Sequence, residues 1–113
     1  MDQKRKELLQ QYKDRDVEMG VIFFRCAQTG ETFYGVSKDT RADLNSVRFK
    51  LSAGNHPNRR MQELWNQYGP ADFLCGVEQV LKREDPNEDP EPLLEAMRDK
   101  LLAADPSARK IWR

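Results

Sequence analysis

Two short β-forming runs separated by a polar break constrain the fold of this chain more than any other feature. Residues 21–24 form a continuous apolar run, and a second run begins at Thr32. The break contains Gly30, and glycine adopts the positive φ angles of a tight turn at little steric cost. Branched and aromatic side chains, such as those of Ile22 and Phe23, favour extended backbone. The pattern therefore predicts an antiparallel hairpin.

Apolar residues at helical spacing follow the hairpin. They recur at intervals of three and four positions, which places them on one face of a helix. Ser37, Asp39 or Thr40 can cap the first of these helices, and Pro57 or Asn58 opens the second. The apolar positions are Leu44, Val47 and Leu51 in the first helix and Met61, Leu64, Trp65 and Tyr68 in the second. These apolar stripes are predicted to face the core.

Three further segments carry regular patterns. Residues 73–81 alternate in the manner of a third strand. Residues 3–12 have apolar side chains at helical spacing, which predicts a short helix before the hairpin. Residues 90–104 keep one apolar face after an Asp-Pro-Glu start, which predicts a final helix.

These elements fit one α/β domain. A chain of 113 residues is close to the commonest domain size, so we predict a single domain over residues 1–113 with its core in residues 20–81. The expected architecture is a small, mainly antiparallel three-stranded sheet flanked by helices. The tail after the last helix contains Ile111 and Trp112, and it is predicted to fold back or to mark a contact.

The charge of the chain is balanced overall and uneven along the sequence. Nineteen basic and nineteen acidic residues give a formal net charge of zero, which argues against a general binder of polyanions. Residues 38–60, by contrast, carry six basic and two acidic residues and include the one histidine, His56. This segment is a candidate face for an anionic partner. Charge alone favours the alternative, in which these side chains form the solvated faces of two helices.

Cysteine usage and hydropathy indicate the compartment. Cys26 and Cys75 lie in strand-like runs and lack the spacing of a zinc site or a disulfide scaffold. We expect both to be buried thiols in a reducing compartment. No apolar run approaches the roughly 20 residues needed to cross a bilayer, and the first residues lack the apolar segment of a signal peptide. The expectation is a cytoplasmic protein with no membrane partner.

A series of short motifs runs through residues 20–81 in a fixed order. In chain order the motifs are Gly20-Val21-Ile22, Phe33-Tyr34-Gly35 with Val36-Ser37, Arg48, Gly54-Asn55-His56-Pro57-Asn58, Met61-Gln62, Trp65, Tyr68-Gly69 and Phe73. The series resembles the two signatures, the helix arginine and the following Gly-x-His-x-Asn, Leu-Gln, Trp, Tyr-Gly and Phe positions of many bacterial GIY-YIG nucleases. The order of the motifs carries the resemblance, because each motif by itself is common.

This resemblance implies an endonuclease-like domain that acts on nucleic acid, with DNA as the expected substrate. In the family, Mg²⁺ or a similar ion such as Mn²⁺ is held by a glutamate on the third strand. The ion works with two tyrosines and an arginine to hydrolyse a phosphodiester. An arginine suits this chemistry because its rigid fork stays charged and can meet two phosphate oxygens. A single carboxylate with several waters is an ordinary Mg²⁺ site.

The sequence departs from the family at the catalytic positions. Ile22 and Phe33 stand where the two tyrosines are expected, and strand alignment puts Gln79 at the glutamate position. An isoleucine or phenylalanine has no proton to exchange, and a neutral glutamine is a poor ligand for Mg²⁺. Tyr34 and Glu78 are the neighbouring residues that could substitute. Each of them would need a β-bulge to reach the required face of the sheet.

The resemblance and the charge pattern together predict the site residues. Arg48 is the candidate phosphate-stabilising catalytic residue, with Tyr34 as a stand-in hydroxyl and His56 as a proton carrier. Glu78 is the candidate ligand for Mg²⁺ or Mn²⁺. The candidate nucleic-acid contacts are Lys38, Arg41, Lys50, Asn58, Arg59 and Arg60.

Two functions from different classes remain open. The first is a weak, metal-dependent endonuclease. The second is a nuclease-derived module that has lost catalysis, needs no cofactor, and binds either nucleic acid or protein, including a second copy of this chain. The substitutions at the catalytic positions and the net charge of zero favour the second function. Salt dependence of binding separates its two versions, because phosphate contacts release counterions and protein contacts need not.

Overall fold

The computed structural model describes residues 17–82 and 87–112, so the helix predicted for residues 3–12 lies outside the described residues. Within those ranges the chain forms four strands, three α-helices and a short 3₁₀ helix. In chain order they are β1 (Gly20–Cys26), β2 (Thr32–Ser37), α1 (Thr40–Ala53), α2 (Arg59–Tyr68), the 3₁₀ helix (Pro70–Asp72), β3 (Phe73–Val80), α3 (Pro90–Ala104) and β4 (Arg109–Lys110).

The predicted hairpin forms the centre of the sheet. β1 and β2 pair antiparallel with Phe24 opposite Phe33, and β3 pairs antiparallel with the other edge of β1. The strand order is β3-β1-β2-β4. Because β1 and β2 are flanked on both sides, their apolar residues can be buried on both faces of the sheet.

The prediction of a three-stranded, mainly antiparallel sheet is wrong in strand number. The tail after α3 folds back and adds β4, which runs parallel to β2 with Arg109 opposite Phe33. The sheet is therefore mixed and four-stranded in the described part of the chain. A two-residue strand of charged side chains has no apolar alternation, so local sequence carries no signal for this pairing.

A β-bulge interrupts the pairing of β1 with β3. Val21 lies opposite Gln79, while the next residue of β1, Ile22, lies opposite Val77, so Glu78 is an extra residue on β3. The strands are close here: a β-carbon at Gly20 would stand 2.1 Å from the carbonyl oxygen of Gln79. Only glycine fits at the start of β1, which gives the first glycine of the motif series a structural reason.

Helices cover both faces of the sheet. Ile22, Phe24 and Phe33 point to one face and pack in a single cluster with buried residues of α1 and α2. α3 contacts β1 and β2 but contributes no residue to that cluster, so it covers the opposite face with its buried Leu94. Tyr34 belongs to this second face by strand alternation. None of the helices within residues 17–82 and 87–112 has the length and hydropathy needed to cross a membrane.

Candidate nucleic-acid interface

The two positions at which the resemblance implies tyrosines lie in the hydrophobic core. Ile22 and Phe33 are both 0% exposed, on the face of the sheet covered by α1 and α2. Neither side chain carries a polar group, and neither position opens to solvent. These positions therefore supply packing rather than a hydroxyl group to the site.

Tyr34 does not take the place of the missing tyrosines. It pairs with Phe23 across the hairpin, and both side chains point away from the face of Ile22 and Phe33. The tyrosine is buried, with 5% of its surface exposed. β2 continues past Gly35 without a register shift, so no bulge turns Tyr34 to the other face.

Glu78 is exposed at the bulge of β3. It follows Val77, which faces the core cluster, and precedes Gln79, which pairs with Val21. In the part of the chain that the structure describes, no three His, Cys, Asp or Glu side chains come together as a metal-binding group. The neighbouring family positions hold isoleucine, phenylalanine and glutamine, none of which is an anionic ligand. This donor set does not fit a metal ion held by several protein groups.

Two arginines share the outer side of α1. Arg41 and Arg48 are seven residues apart, which is two helical turns, and both are exposed. Among residues 17–82 and 87–112, no acidic side chain forms an ion pair with either guanidinium. Phe49 follows Arg48 and is 74% exposed, the most exposed of the large hydrophobic residues in these ranges. The outer side of α1 therefore carries two exposed guanidinium groups, and the residue after Arg48 is an exposed aromatic.

Lys38 and Lys50 are the two lysines predicted as contacts at the two ends of α1. Lys38 lies 3.5 Å from a carboxylate oxygen of Glu91, and both side chains are more than half exposed. An exposed pair of this kind is weak, so Lys38 can exchange its partner at little cost. Lys50 is exposed near the end of α1, close enough to His56 to influence its charge.

Arg60 forms an ion pair with Glu31 within the protein. Its Nε donates to Oε2 of Glu31 at 2.9 Å and its NH2 group donates to Oε1 at 2.6 Å. Glu63 lies 3.7 Å from the same guanidinium. The hydrogen bond from Arg60 is the main cause of the lowered pKa of Glu31, followed by the opposing effect of burial. The fork holds the start of α2 against the start of β2, which leaves Arg60 less available to a phosphate than Arg41 or Arg48.

His56 is buried in the loop between α1 and α2. The Nδ1 atom of its ring accepts a hydrogen bond from the backbone N–H of Asn58 at 2.9 Å, and the backbone N–H of His56 donates to Oε1 of Gln62 at 3.0 Å. Burial, followed by the positive charge of Lys50, lowers the pKa of His56. Its Nε2 is buried without a hydrogen-bond partner among the described residues. The structure thus places His56 inside the loop with an Nδ1 that accepts a hydrogen bond, and its role as a proton carrier stays a prediction.

Asn58 uses both ends of its side-chain amide. Its Oδ1 accepts from the backbone N–H of Met61 at 3.0 Å and caps α2. Its Nδ2 donates to the carbonyl oxygens of Lys110 at 3.0 Å and Ile111 at 3.1 Å. Asn58 therefore ties the start of α2 to the tail, and its contact with nucleic acid stays a prediction.

The tail brings residues to this region that sequence reasoning did not include in the site. A cavity of about 780 Å³ lies between the start of α2 and β4. It is lined by Pro57, Asn58, Arg59, Lys110, Ile111 and Trp112. Arg59 was predicted as a contact, whereas Lys110 and Trp112 were missed. The available signal was the apolar pair Ile111 and Trp112, which predicted that the tail folds back but not where it docks.

Comparison with solved structures identifies the fold. The catalytic domain of homing endonuclease I-TevI superposes with a TM-score of 0.66 at 17% identity, over 84% of this chain and 99% of that domain. A mutant of the catalytic domain of intron endonuclease I-TevI gives a TM-score of 0.64 at 16% identity, over 77% of this chain and 82% of that one. This chain has the GIY-YIG fold. No protein-family model matches its sequence, and no curated protein is significantly similar.

The GIY-YIG fold is retained here with an altered set of functional side chains. Arg48, which the resemblance matches to the helix arginine, is exposed on α1. The tyrosine positions are filled by the buried Ile22 and Phe33, and the strand that should supply a glutamate carries a bulge at Glu78. The structure therefore shows the GIY-YIG fold with apolar, buried side chains at the two positions where the resemblance implies tyrosines.

Proposed function

We propose that this chain is a nucleic-acid-binding module built on a nuclease scaffold, and that DNA is its partner. The observation that carries the proposal is the outer side of α1, where Arg41 and Arg48 are exposed, unpaired among the described residues and two helical turns apart. The structural neighbours, which are endonuclease catalytic domains, support nucleic acid as the class of partner.

Each arginine can contact a phosphate through two N–H groups, because the guanidinium is planar and always charged. Lys38 precedes α1 and Lys50 lies near its end, so both add positive charge to the segment that carries the arginines. Phe49 adds an apolar ring that can rest on a sugar or an unstacked base. The net charge of zero limits attraction at long range, so binding depends on these local contacts.

Fluorescence anisotropy with labelled duplex DNA, single-stranded DNA and RNA tests the proposal. Affinity should fall linearly with salt on logarithmic axes, and Arg41→Ala or Arg48→Ala should each reduce the duplex slope by about 0.9. Lys100→Ala is the matched control, because Lys100 is an exposed cation on α3. A flat salt dependence, or no binding to any of the three ligands, would instead support the adaptor that binds a protein or a second copy of the chain.

Metal-dependent phosphodiester hydrolysis is the second candidate function. The bulge favours it, because an extra residue on β3 frees Glu78 from the strict alternation of the strand. A nicking assay with Mg²⁺ and with Mn²⁺ decides the question, using Arg48→Ala and Glu78→Gln as variants. Absence of cleavage, or equal cleavage by the wild type and both variants, would exclude an enzymatic role for this site.

A further inference from the structure

We infer that the cavity between the start of α2 and the tail binds one unpaired nucleotide of a nucleic-acid strand. The inference rests on the proposed function and adds a second contact, separate from the outer side of α1. The cavity has a volume of about 780 Å³ and is partly open to solvent, so a bound nucleotide would be only partly enclosed. It combines an aromatic ring from Trp112 with the cationic side chains of Arg59 and Lys110.

The charges of the cavity suit a phosphate. Arg59 and Lys110 are both exposed, and neither forms an ion pair with an acidic side chain in residues 17–82 or 87–112. The two cations come from segments far apart in sequence and meet only because the tail docks beside α2. A phosphodiester between them would be neutralised in part, and it would place the attached base toward Trp112.

The walls of the cavity are held in place without a ligand. The backbone N–H of Ile111 donates to the carbonyl oxygen of Tyr34 at 2.9 Å, and the Ile111 side chain is 3% exposed. Asn58 donates to the carbonyl groups of Lys110 and Ile111. Part of the Trp112 ring lies against Gly35, while the residue as a whole stays partly exposed. A ring that already lies against the sheet loses less entropy when a base stacks on it than a ring that must first be ordered.

This geometry predicts selectivity for unpaired strands. A base inside a duplex has both faces stacked on its neighbours and cannot lie on Trp112. A base in a single strand or at a frayed end has a free face, and stacking on an aromatic side chain is worth about 1–3 kcal/mol. The outer side of α1, by contrast, contacts phosphates of either form.

The test uses the full chain in a Trp65→Phe background, which leaves Trp112 as the only tryptophan. Saturation with a short oligothymidine should quench Trp112 fluorescence, and saturation with a duplex of equal length should not. Lys110→Ala and Arg59→Ala, both at exposed side chains, should weaken binding of the oligothymidine at least about threefold and weaken binding of the duplex less. Trp112→Leu in the native background should weaken it at least about fivefold.

The outcomes separate this inference from the proposed function. In one outcome, oligothymidine binds and Arg48→Ala abolishes the binding, but the binding neither quenches Trp112 nor depends on Lys110. This outcome would overturn the cavity site and leave the α1 surface intact. Equal losses for single strand and duplex in the cavity variants would also overturn it. Quenching by thymidine monophosphate without binding of oligothymidine would assign the cavity to a free nucleotide and contradict a strand-binding site. Absence of all nucleic-acid binding would refute both proposals.

Discussion

The ring of Trp112 lies so close to Gly35 that a β-carbon on this glycine would stand 2.5 Å from Cζ3 of the indole. The glycine belongs to β2, and the tryptophan follows β4 at the end of the described chain. The close approach places the tail on the face of the sheet that also holds Ile22, the partner of Gly35 across the hairpin. The tail therefore covers the part of the sheet where the family resemblance implies catalytic groups.

Gly35→Ala should destabilise the domain and displace the tail. The added methyl group must push a rigid ring away, and overpacking of this kind costs about 1–3 kcal/mol of unfolding free energy. Urea denaturation measures the loss. Gly76→Ala is the matched control, because a β-carbon there would meet Phe23 at 3.5 Å, which is ordinary contact. In Gly35→Ala/Trp112→Ala the two losses should be less than additive, and full additivity would contradict the contact.

Asn58→Asp should release the tail while it preserves α2. Aspartate is an equally good N-cap, so the hydrogen bond from Met61 is retained. The two hydrogen bonds to Lys110 and Ile111 are lost, because a carboxylate cannot donate to a carbonyl oxygen. Hydrogen exchange of the Ile111 amide should accelerate in Asn58→Asp, with little change in α2. Asn58→Ala should also weaken the helix, by about 0.5–2 kcal/mol. Unchanged exchange at Ile111 in Asn58→Asp would argue against this tie.

Phe33→Tyr should destabilise the fold and create no nuclease activity. The side chain is fully buried between the sheet and the helices. The added hydroxyl group would therefore lose its hydrogen bonds to water, and its apolar surroundings would not replace them. An unsatisfied buried hydroxyl costs about 1–3 kcal/mol. Phe23→Tyr is the control, because Phe23 is only partly buried and lies on the other face. A more stable or an active Phe33→Tyr protein would show that the position can open to solvent.

His56 should make the domain less stable in mild acid. Its pKa is lowered in the folded protein from an ordinary value of 6.5, so below that pH the unfolded chain takes up a proton that the folded chain resists. The contribution of the neutral ring is complete above pH 6.5 and is lost as the pH falls below it. A charged imidazole would also need a proton on Nδ1, which accepts from Asn58.

Thermal melts of the wild type and of His56→Asn, from pH 8 down to pH 5, test this expectation. Asparagine can accept the same hydrogen bond through Oδ1 but does not titrate. The decrease in Tm from pH 8 to pH 5 should therefore be smaller in His56→Asn than in the wild type. Parallel pH profiles for both proteins would assign the acid sensitivity to other groups.

Much of the fold could be predicted from local sequence. The hairpin lies where the apolar runs and Gly30 indicate, Asp39 caps α1, and Asn58 caps α2. These features depend on residues within a few positions of one another, so their signals survive in a single sequence. α3 covers Pro90–Ala104, the range that apolar periodicity indicates.

Less of the candidate site than of the fold could be predicted from the sequence. The motif order correctly indicated the fold and the place of Arg48 on the first helix. It did not indicate that Arg60 pairs with Glu31 or that Asn58 is occupied by the tail. These contacts join residues that are 29 and 52 positions apart, so no local pattern records them.

By itself, the sequence determined the elements of this protein and their caps, because helix periodicity and turn chemistry act over a few residues. It also determined that the positions where the resemblance implies tyrosines cannot supply a hydroxyl group, since they hold an isoleucine and a phenylalanine. Only the tertiary structure decided where the tail docks, where β3 bulges and which cations stay unpaired. Those features depend on contacts between segments that are far apart in the sequence, and no local pattern records which distant segments meet.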